Sequence, residues 1–261
     1  MSGCAVLNQK KLPARKKEGN NFLIFMSENT FQIAIDGPVA AGKGTISRLV
    51  AQKLDFLYVD TGAMYRTTAL LASKNNINLD QENKIVELLK KSKIEMRNPN
   101  DQERDGRLTS VFLNNEDVSW KIRTENISLG SSKVASLSEV RKILVKKQQE
   151  IAEKQNVVME GRDITFRVLP NAQLKIYLTA NIISRTKRRH LQLLLRGKDI
   201  SFQKVSDDIK ERDDRDKDRK TDPLQIVPEA WVIDSTDLSI QQVVDMIVAK
   251  VRAMKSYHEK S

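Results

Sequence analysis

A chain of 261 residues holds one or two domains of ~100–200 residues each, enough for a substantial hydrophobic core. The longest wholly apolar run, Phe22 to Met26, is far short of the ~18 residues that a membrane span needs, so no membrane partner is expected. Cys4 is the single cysteine and His190 and His258 are the only histidines, which excludes an intrachain disulfide and a His/Cys zinc site and makes a reducing cytoplasm the expected address. The formal net charge of +11 favours anionic partners without choosing among nucleotides, nucleic acid, phosphorylated substrates and acidic lipid.

The chain opens on a basic tail, residues 1–30, whose first 25 residues set Lys10, Lys11, Arg15, Lys16 and Lys17 against Glu18 and show no periodic apolar face. Disorder is the expectation there, with Met26 a candidate true start. From Phe31 to Asp36 the pattern becomes that of a buried strand ending in a glycine-rich turn. Ile46, Leu49, Val50 and Leu54 then recur at helical spacing, and Leu57 to Asp60 reads as the next strand, which makes a right-handed parallel crossover. Later strands are expected at Val157–Met159, Leu174–Leu178 and Trp231–Ile233, and a closing helix carries Val243, Val244, Ile247 and Val251 on one face. Five strands alternating with helices predict a doubly wound α/β fold.

Between the second and third of these strands the chain runs far longer than the ~12–15 residues of an unstructured loop. This insert is expected to fold on its own terms. Ile85, Leu88 and Leu89 mark a helix, Lys93–Met96 and Ser110–Leu113 mark strands, and Asn114-Asn115 forms a turn before Asp117-Val118. A second helix follows, marked by Val140, Ile143, Leu144 and Ile151. The expected division is a core over 31–92 and 156–261, an inserted domain over 93–155, and a mobile segment over 197–223 within the core.

Chemistry concentrates at the strand ends. Gly37-Pro38-Val39-Ala40-Ala41-Gly42-Lys43-Gly44-Thr45 is a phosphate-binding loop in the required strand-to-helix setting. Its glycines let successive N–H groups turn around phosphate oxygens, the helix N-terminus adds partial positive charge, and Lys43 reaches the outer phosphates. The hydroxyl follows the lysine by two positions, and no Asn-Lys-x-Asp base-reading motif accompanies it, which argues against a GTPase. Arg66, in Asp60-Thr61-Gly62-Ala63-Met64-Tyr65-Arg66, and Arg162, in Gly161-Arg162-Asp163, follow strands at the same sheet edge and suit a second anionic group. Arg66 has an alternative use, pairing with Asp60. The run Glu211 to Arg219 alternates acids and bases; alone it reads as a solvated helix face, whereas beside a phosphate loop it can serve as an arginine-bearing lid. His190 is given no acid–base role, because the acceptor oxygens of a phosphate are already ionised near neutral pH.

The phosphate loop, the Asp60–Arg66 cluster, Glu116-Asp117-Val118-Ser119 with Ile122-Arg123, Gly161-Arg162-Asp163, and Lys210 to Asp216 occur in the order found in bacterial cytidylate kinases, and the chain from Phe31 onward resembles that family. The resemblance implies an α/β P-loop kinase with a five-stranded parallel sheet, an inserted nucleoside-monophosphate-binding domain and a small lid. It implies ATP-dependent phosphorylation of CMP and dCMP, in pyrimidine metabolism. By matching position, Arg66 and Arg162 would hold the CMP phosphate; Ser132, Arg141 and Asp163 would read cytosine, with Thr61 nearby; Arg212 and Asp216 would reach the ribose; and Arg212 and Arg219 would close on the transferring phosphoryl group beside Lys43. Mg2+ would enter as Mg-ATP, with Thr45 the nearest protein hydroxyl. The expected partners are ATP and CMP or dCMP, with no stable nucleic-acid partner, and the expected state is a monomer. This chain departs from the family in having Phe166 after Thr165, where small or hydroxyl residues are usual.

Two rivals stand beside this assignment. A kinase of the same fold with UMP or AMP as acceptor would share every motif except the base contacts. A basic nucleic-acid-binding protein using ATP only as a ligand would show steep salt dependence, but the chain has no stacking array and its aromatic content is only 5%.

Overall fold

A computed structural model describes residues 30–258 apart from 104 and 196, so the expectations for the tail, Met26 included, lie outside the described residues. The elements run in the order β1 (Gln32–Asp36), α1 (Lys43–Leu54), β2 (Leu57–Asp60), α2 (Thr61–Lys74), α3 (Glu82–Lys91), β3 (Ile94–Arg97), β4 (Ser110–Leu113), β5 (Glu116–Asp117), α4 (Glu125–Val134), α5 (Ser138–Ala152), β6 (Val157–Gly161), β7 (Leu174–Thr179), α6 (Ile182–Leu194), α7 (Phe202–Asp218), β8 (Trp231–Asp234) and α8 (Ile240–His258). Among the described residues no helix is long and apolar enough to cross a membrane.

The main sheet has five strands in the order β2-β6-β1-β7-β8, all paired in parallel. β1 occupies the centre, which is why all of its residues are buried and it reads as a continuous run. Alternation still decides which side each residue serves. Ile33 and Ile35 pack with Ile46, Val50, Val243, Val244, Ile247 and Val251 under α1 and α8, whereas Ala34 joins Val59, Met64, Ile85, Leu144, Val157 and Met159 on the opposite face. The register sets Asp60 opposite Glu160 and Asp36 opposite Gly161, so three carboxyl-bearing residues share the C-terminal edge where the phosphate loop begins.

The insert departs from the expectation of independent folding. Met96, Val111, Leu113, Val134, Val140 and Leu144 belong to the same buried cluster as the sheet residues Val59, Val157 and Met159. It therefore serves as the cover of one sheet face, and its small antiparallel sheet, β3-β4-β5, extends from that cover. Asn114 and Asn115 turn β4 into β5 with φ of 51° and 68°, the paired left-handed conformation that a two-residue hairpin loop needs. Two further features bear on the site. The cluster Asp60 to Arg66 begins α2, with Asp60 Oδ1 accepting from Ala63 N at 3.0 Å as its cap. The mixed-charge run after Ile209 continues α7 without a break to Asp218.

Candidate active site

The phosphate loop is shaped by close approach and by left-handed backbone. A Cβ on Gly37 would lie 2.0 Å from the Leu178 carbonyl oxygen, so only glycine lets β1 leave the sheet against β7. Ala40 at φ 59° and Gly42 at φ 91° turn the chain into α1, and alternations of this kind create the N–H concavity that receives anions. Lys43 opens α1 with its side chain folded back: Nζ donates to the Gly37 and Pro38 carbonyls, each at 2.8 Å. Burial lowers its pKa to about 7, with Arg162 adding to the effect. An anionic phosphate is the group that would restore the charge. Thr45 sits half-buried in the first turn of the same helix.

Next to this loop lies the carboxyl edge. Arg66 Nη2 donates to Asp60 Oδ2 at 2.6 Å, and Arg123 Nη2 lies 3.8 Å from the same oxygen, so the alternative pairing of Arg66 is present and is shared by a second arginine. Both arginines are largely shielded from solvent. Burial raises the Asp60 carboxyl, but Arg66 and Arg123 outweigh it and the net shift is downward. Thr61 Oγ1 donates to the Glu160 carbonyl at 2.8 Å, which ties α2 to the end of β6. The Glu160 carboxylate accepts from Tyr58 Oη at 3.3 Å, and its pKa is raised by burial and then by Asp60.

Glu160 also bears on the metal. Among the described residues no group of three or more His, Cys, Asp or Glu side chains could hold an ion. Magnesium accompanying a nucleotide needs less, because phosphates and water fill most of its positions beside one or two carboxylates. The place a Gly44 Cβ would take lies 3.5 Å from Glu160 Oε1, which sets this half-buried carboxylate directly against the helix turn between Lys43 and Thr45. A carboxylate and a hydroxyl at the phosphate loop suit Mg2+ carried by ATP.

The turn after β6 brings the remaining residues together. Asp36 accepts from Ile164 N at 3.0 Å, Thr165 N at 2.8 Å and Thr165 Oγ1 at 2.7 Å, so the strand that leads into the phosphate loop also fixes the turn bearing Arg162 and Asp163. Phe166 lies half-buried in that turn, and Thr165 is spent on the Asp36 clamp. Asp163 Oδ2 accepts from Arg141 Nη2 at 2.5 Å, and its other oxygen lies 3.5 Å from Arg219 Nη2. Arg141 is only 2% exposed, although Lys142, Lys146 and Lys147 share α5 with it. Its Nη1 donates to the Ala135 carbonyl at 3.2 Å, one turn beyond Ser132 on α4. Arg162 Nε donates to Asp216 Oδ2 at 2.6 Å, joining β6 to α7. Arg212 is lowered to about 10, first by burial and then by Arg162, and so stays cationic at neutral pH. Its electrostatic neighbours also include Asp216 and Arg66. Residues read from five separate stretches of sequence thus meet around the Asp163 turn and the phosphate loop.

Helix α7 is held down independently of these arginines. Arg185 on α6 donates to Asp213 Oδ2 at 2.5 Å and to the Val39 carbonyl at 3.1 Å, while Asp213 Oδ1 accepts from Val39 N at 3.1 Å. Val205 and Ile209 pack with Leu193 against Val39 and Ala40, an apolar seat for α7 on the phosphate loop. His190 spends its ring Nε2 on the Ile200 carbonyl at 2.8 Å and sets its ring edge against Phe202, a structural use.

A family model described as Cytidylate kinase matches residues 33–253. The chain belongs to the cytidylate kinase family. It is 47% identical over 216 residues to a cytidylate kinase of Caldicellulosiruptor bescii, covering 83% of this chain and 93% of the relative. A cytidylate kinase of Caldanaerobacter subterraneus is 47% identical over 85% of this chain and 95% of its own length. For that of Bacillus subtilis the values are 43%, 86% and 97%. In this cytidylate kinase family member, sequence reasoning missed Asp36, Glu160, and the pair Arg185 and Asp213. A charged residue closing an apolar strand was the available signal for the first two. The Arg185–Asp213 pair, 28 positions apart, left no local trace.

Proposed function

We infer that this chain transfers the γ-phosphoryl group of ATP to the phosphate of CMP or dCMP, giving ADP and the corresponding diphosphate. The observation that carries the assignment of roles is the grip of Asp163 on two arginines, Arg141 from α5 and Arg219 from the end of α7, beside the phosphate loop. Backbone N–H groups of residues 37–45 and the Lys43 ammonium hold the ATP phosphates. Arg66 and Arg162 take the acceptor phosphate, releasing Asp60 and Asp216 from their present ion pairs. Two anions are thereby brought into line at a site walled from water by α7.

Arg212 and Arg219 then face the charge that spreads over the moving phosphoryl oxygens, where fixed cations in a dry site have their greatest effect. Asp163 and Ser132 accept from the cytosine amino group, Arg141 donates to the ring nitrogen, Thr61 lies beside the base, and Asp216 receives a ribose hydroxyl. Glu160 and Thr45 would hold the Mg2+ of Mg-ATP, which neutralises phosphate charge when bound. Residues 93–155 act as the monophosphate-binding insert and residues 197–223 as the lid of a monomeric cytoplasmic enzyme.

A panel of CMP, dCMP, UMP and AMP with Mg-ATP in excess tests the acceptor. Diphosphate formation should be fastest with CMP or dCMP, and a faster rate with UMP or AMP would overturn the base assignment while leaving a nucleotide kinase.

A further inference from the structure

Asp222 lies just past the lid helix and has no role in the account above. Its Oδ2 accepts from Arg141 Nε at 3.2 Å and from Arg141 Nη2 at 2.9 Å, a two-point grip on a guanidinium 81 positions earlier in the chain. Oδ1 lies 3.7 Å from Arg167 Nε, on the turn that follows Asp163. Its backbone carbonyl accepts from Arg219 Nε at 2.6 Å and also from Arg219 Nη2. The residue holds this position at φ 48°, a left-handed backbone that a non-glycine residue adopts at a cost, immediately before Pro223. Leu224 N then donates back to the Asp216 carbonyl at 2.8 Å, which closes the segment onto the end of α7.

The donor inventory of Arg141 gives this grip a consequence. A guanidinium has five N–H bonds. Asp222 takes Nε and one hydrogen of Nη2, Asp163 takes the other, and the Ala135 carbonyl takes one of Nη1. One Nη1 hydrogen remains. A pyrimidine ring nitrogen that accepts, as in cytosine, is satisfied by one fixed donor; a ring N–H, as in uracil, meets it head-on. An arginine held at only one point could swing aside and relieve that clash. Because Asp222 lies at the end of the lid segment, past α7, the guanidinium is locked only when that end of the lid lies against α5.

The geometry points to Asp222 as a specificity-determining positioning residue, which locks the base-reading Arg141 and couples lid closure to discrimination between cytosine and uracil. It rests on the assignment of Arg141 to the base given above. The test measures kcat and KM for CMP and for UMP, at saturating Mg-ATP, in the parent protein, Asp222→Ala, Asp222→Asn, Arg141→Met and the Asp222→Ala/Arg141→Met pair, with thermal melting of each. Asp222→Ala should raise KM for CMP with little change in kcat or in KM for ATP, and should lower the CMP-to-UMP ratio of kcat/KM by roughly tenfold or more. Asp222→Asn, which keeps one acceptor, should fall between it and the parent. The double variant should discriminate no worse than Arg141→Met alone. If Arg141→Met collapses the ratio and both Asp222 variants leave it intact, the role of Asp222 is overturned and base reading by Arg141 stands. If none of the variants moves the ratio, base reading by Arg141 itself fails, and the role of Asp222 with it. A proportional loss on both substrates in the Asp222 variants would mark a merely structural residue and also overturn the proposal.

Discussion

Replacing Arg141 by methionine separates what this residue does for the fold from what it does for the base. Methionine keeps the unbranched apolar stem and deletes a guanidinium that is 2% exposed, bound to Asp163 and Asp222, and set 5.8 Å from the Tyr65 ring centroid. Breaking a buried ion pair on one side costs about 3–5 kcal/mol, because the remaining carboxylates lose their counter-charge. Arg219 stays 3.5 Å from Asp163, so the lower end applies. At ~2–4 °C per kcal/mol for a domain of this size, the melting temperature should fall by about 6–12 °C. The effect on catalysis is separable. Losing a charged hydrogen bond to the ring nitrogen costs about 1.5–3 kcal/mol, or roughly 10- to 150-fold in kcat/KM for CMP. UMP, whose ring N–H clashes with that donor, should lose far less. In the unmodified protein the two mismatched edges predict roughly 10²-fold or greater preference for CMP. Steady-state kinetics on both monophosphates, below the melting range of the variant, decide the matter. A lower melting temperature with an unchanged CMP-to-UMP ratio would show that Arg141 only holds the fold together.

Lys43→Ala should reduce kcat by ~10²-fold or more, about 3 kcal/mol of transition-state stabilisation; a variant that loses only ATP affinity would remove Lys43 from the chemical step. Arg219→Ala should lower kcat more than it weakens CMP binding, and a change confined to KM would make Arg219 a binding residue instead of a lid cation. Asp36 supplies a pH signature. Burial raises its carboxyl from 3.8 to about 6, so between those values the folded protein binds a proton that the unfolded chain does not, and stability falls as pH rises through the window. The stability of Asp36→Asn relative to the parent should therefore climb by up to about 3 kcal/mol between pH 4 and 7, whatever its constant offset, and a flat difference curve in denaturant titrations would show that burial does not hold the Asp36 carboxyl above its ordinary value.

The parallel sheet was legible in the sequence because its strands are short, largely apolar runs, four of which end in glycine or a carboxylate, and the phosphate loop because its spacing has few other uses. Two helices were not. α2 buries Thr61, Ala63, Met64, Tyr65, Thr67, Thr68, Ala69, Leu71 and Ala72, so apolar and polar residues alike face protein and no stripe emerges. α4 contains Gly130 and three serines, a composition of low helical preference. It is held by packing: a Cβ at Gly130 would lie 3.1 Å from Leu79 Cδ1 and 3.5 Å from Ala69 Cβ. The site divides in the same way. Residues inside compact motifs, such as Lys43, Arg162 and Asp163, could be named from sequence. Asp36, Glu160, Arg185, Asp213 and Asp222 act through partners distant in sequence, and a lone carboxylate in a strand or loop looks the same whether it faces water or clamps an arginine. Burial of Arg141 was likewise decided by Asp163 and Asp222, not by the lysines beside it on α5.

The central claim is that a phosphoryl group moves from ATP to the phosphate of CMP at the edge shared by the phosphate loop and the Asp163 turn. Phosphorus NMR of the protein with Mg-ATP and CMP observes that movement directly. CDP and ADP should appear in equal amounts, only when both substrates are present, and should be nearly absent with Lys43→Ala. Release of inorganic phosphate at the same rate with or without CMP, and no β-phosphate signal of CDP, would contradict the account.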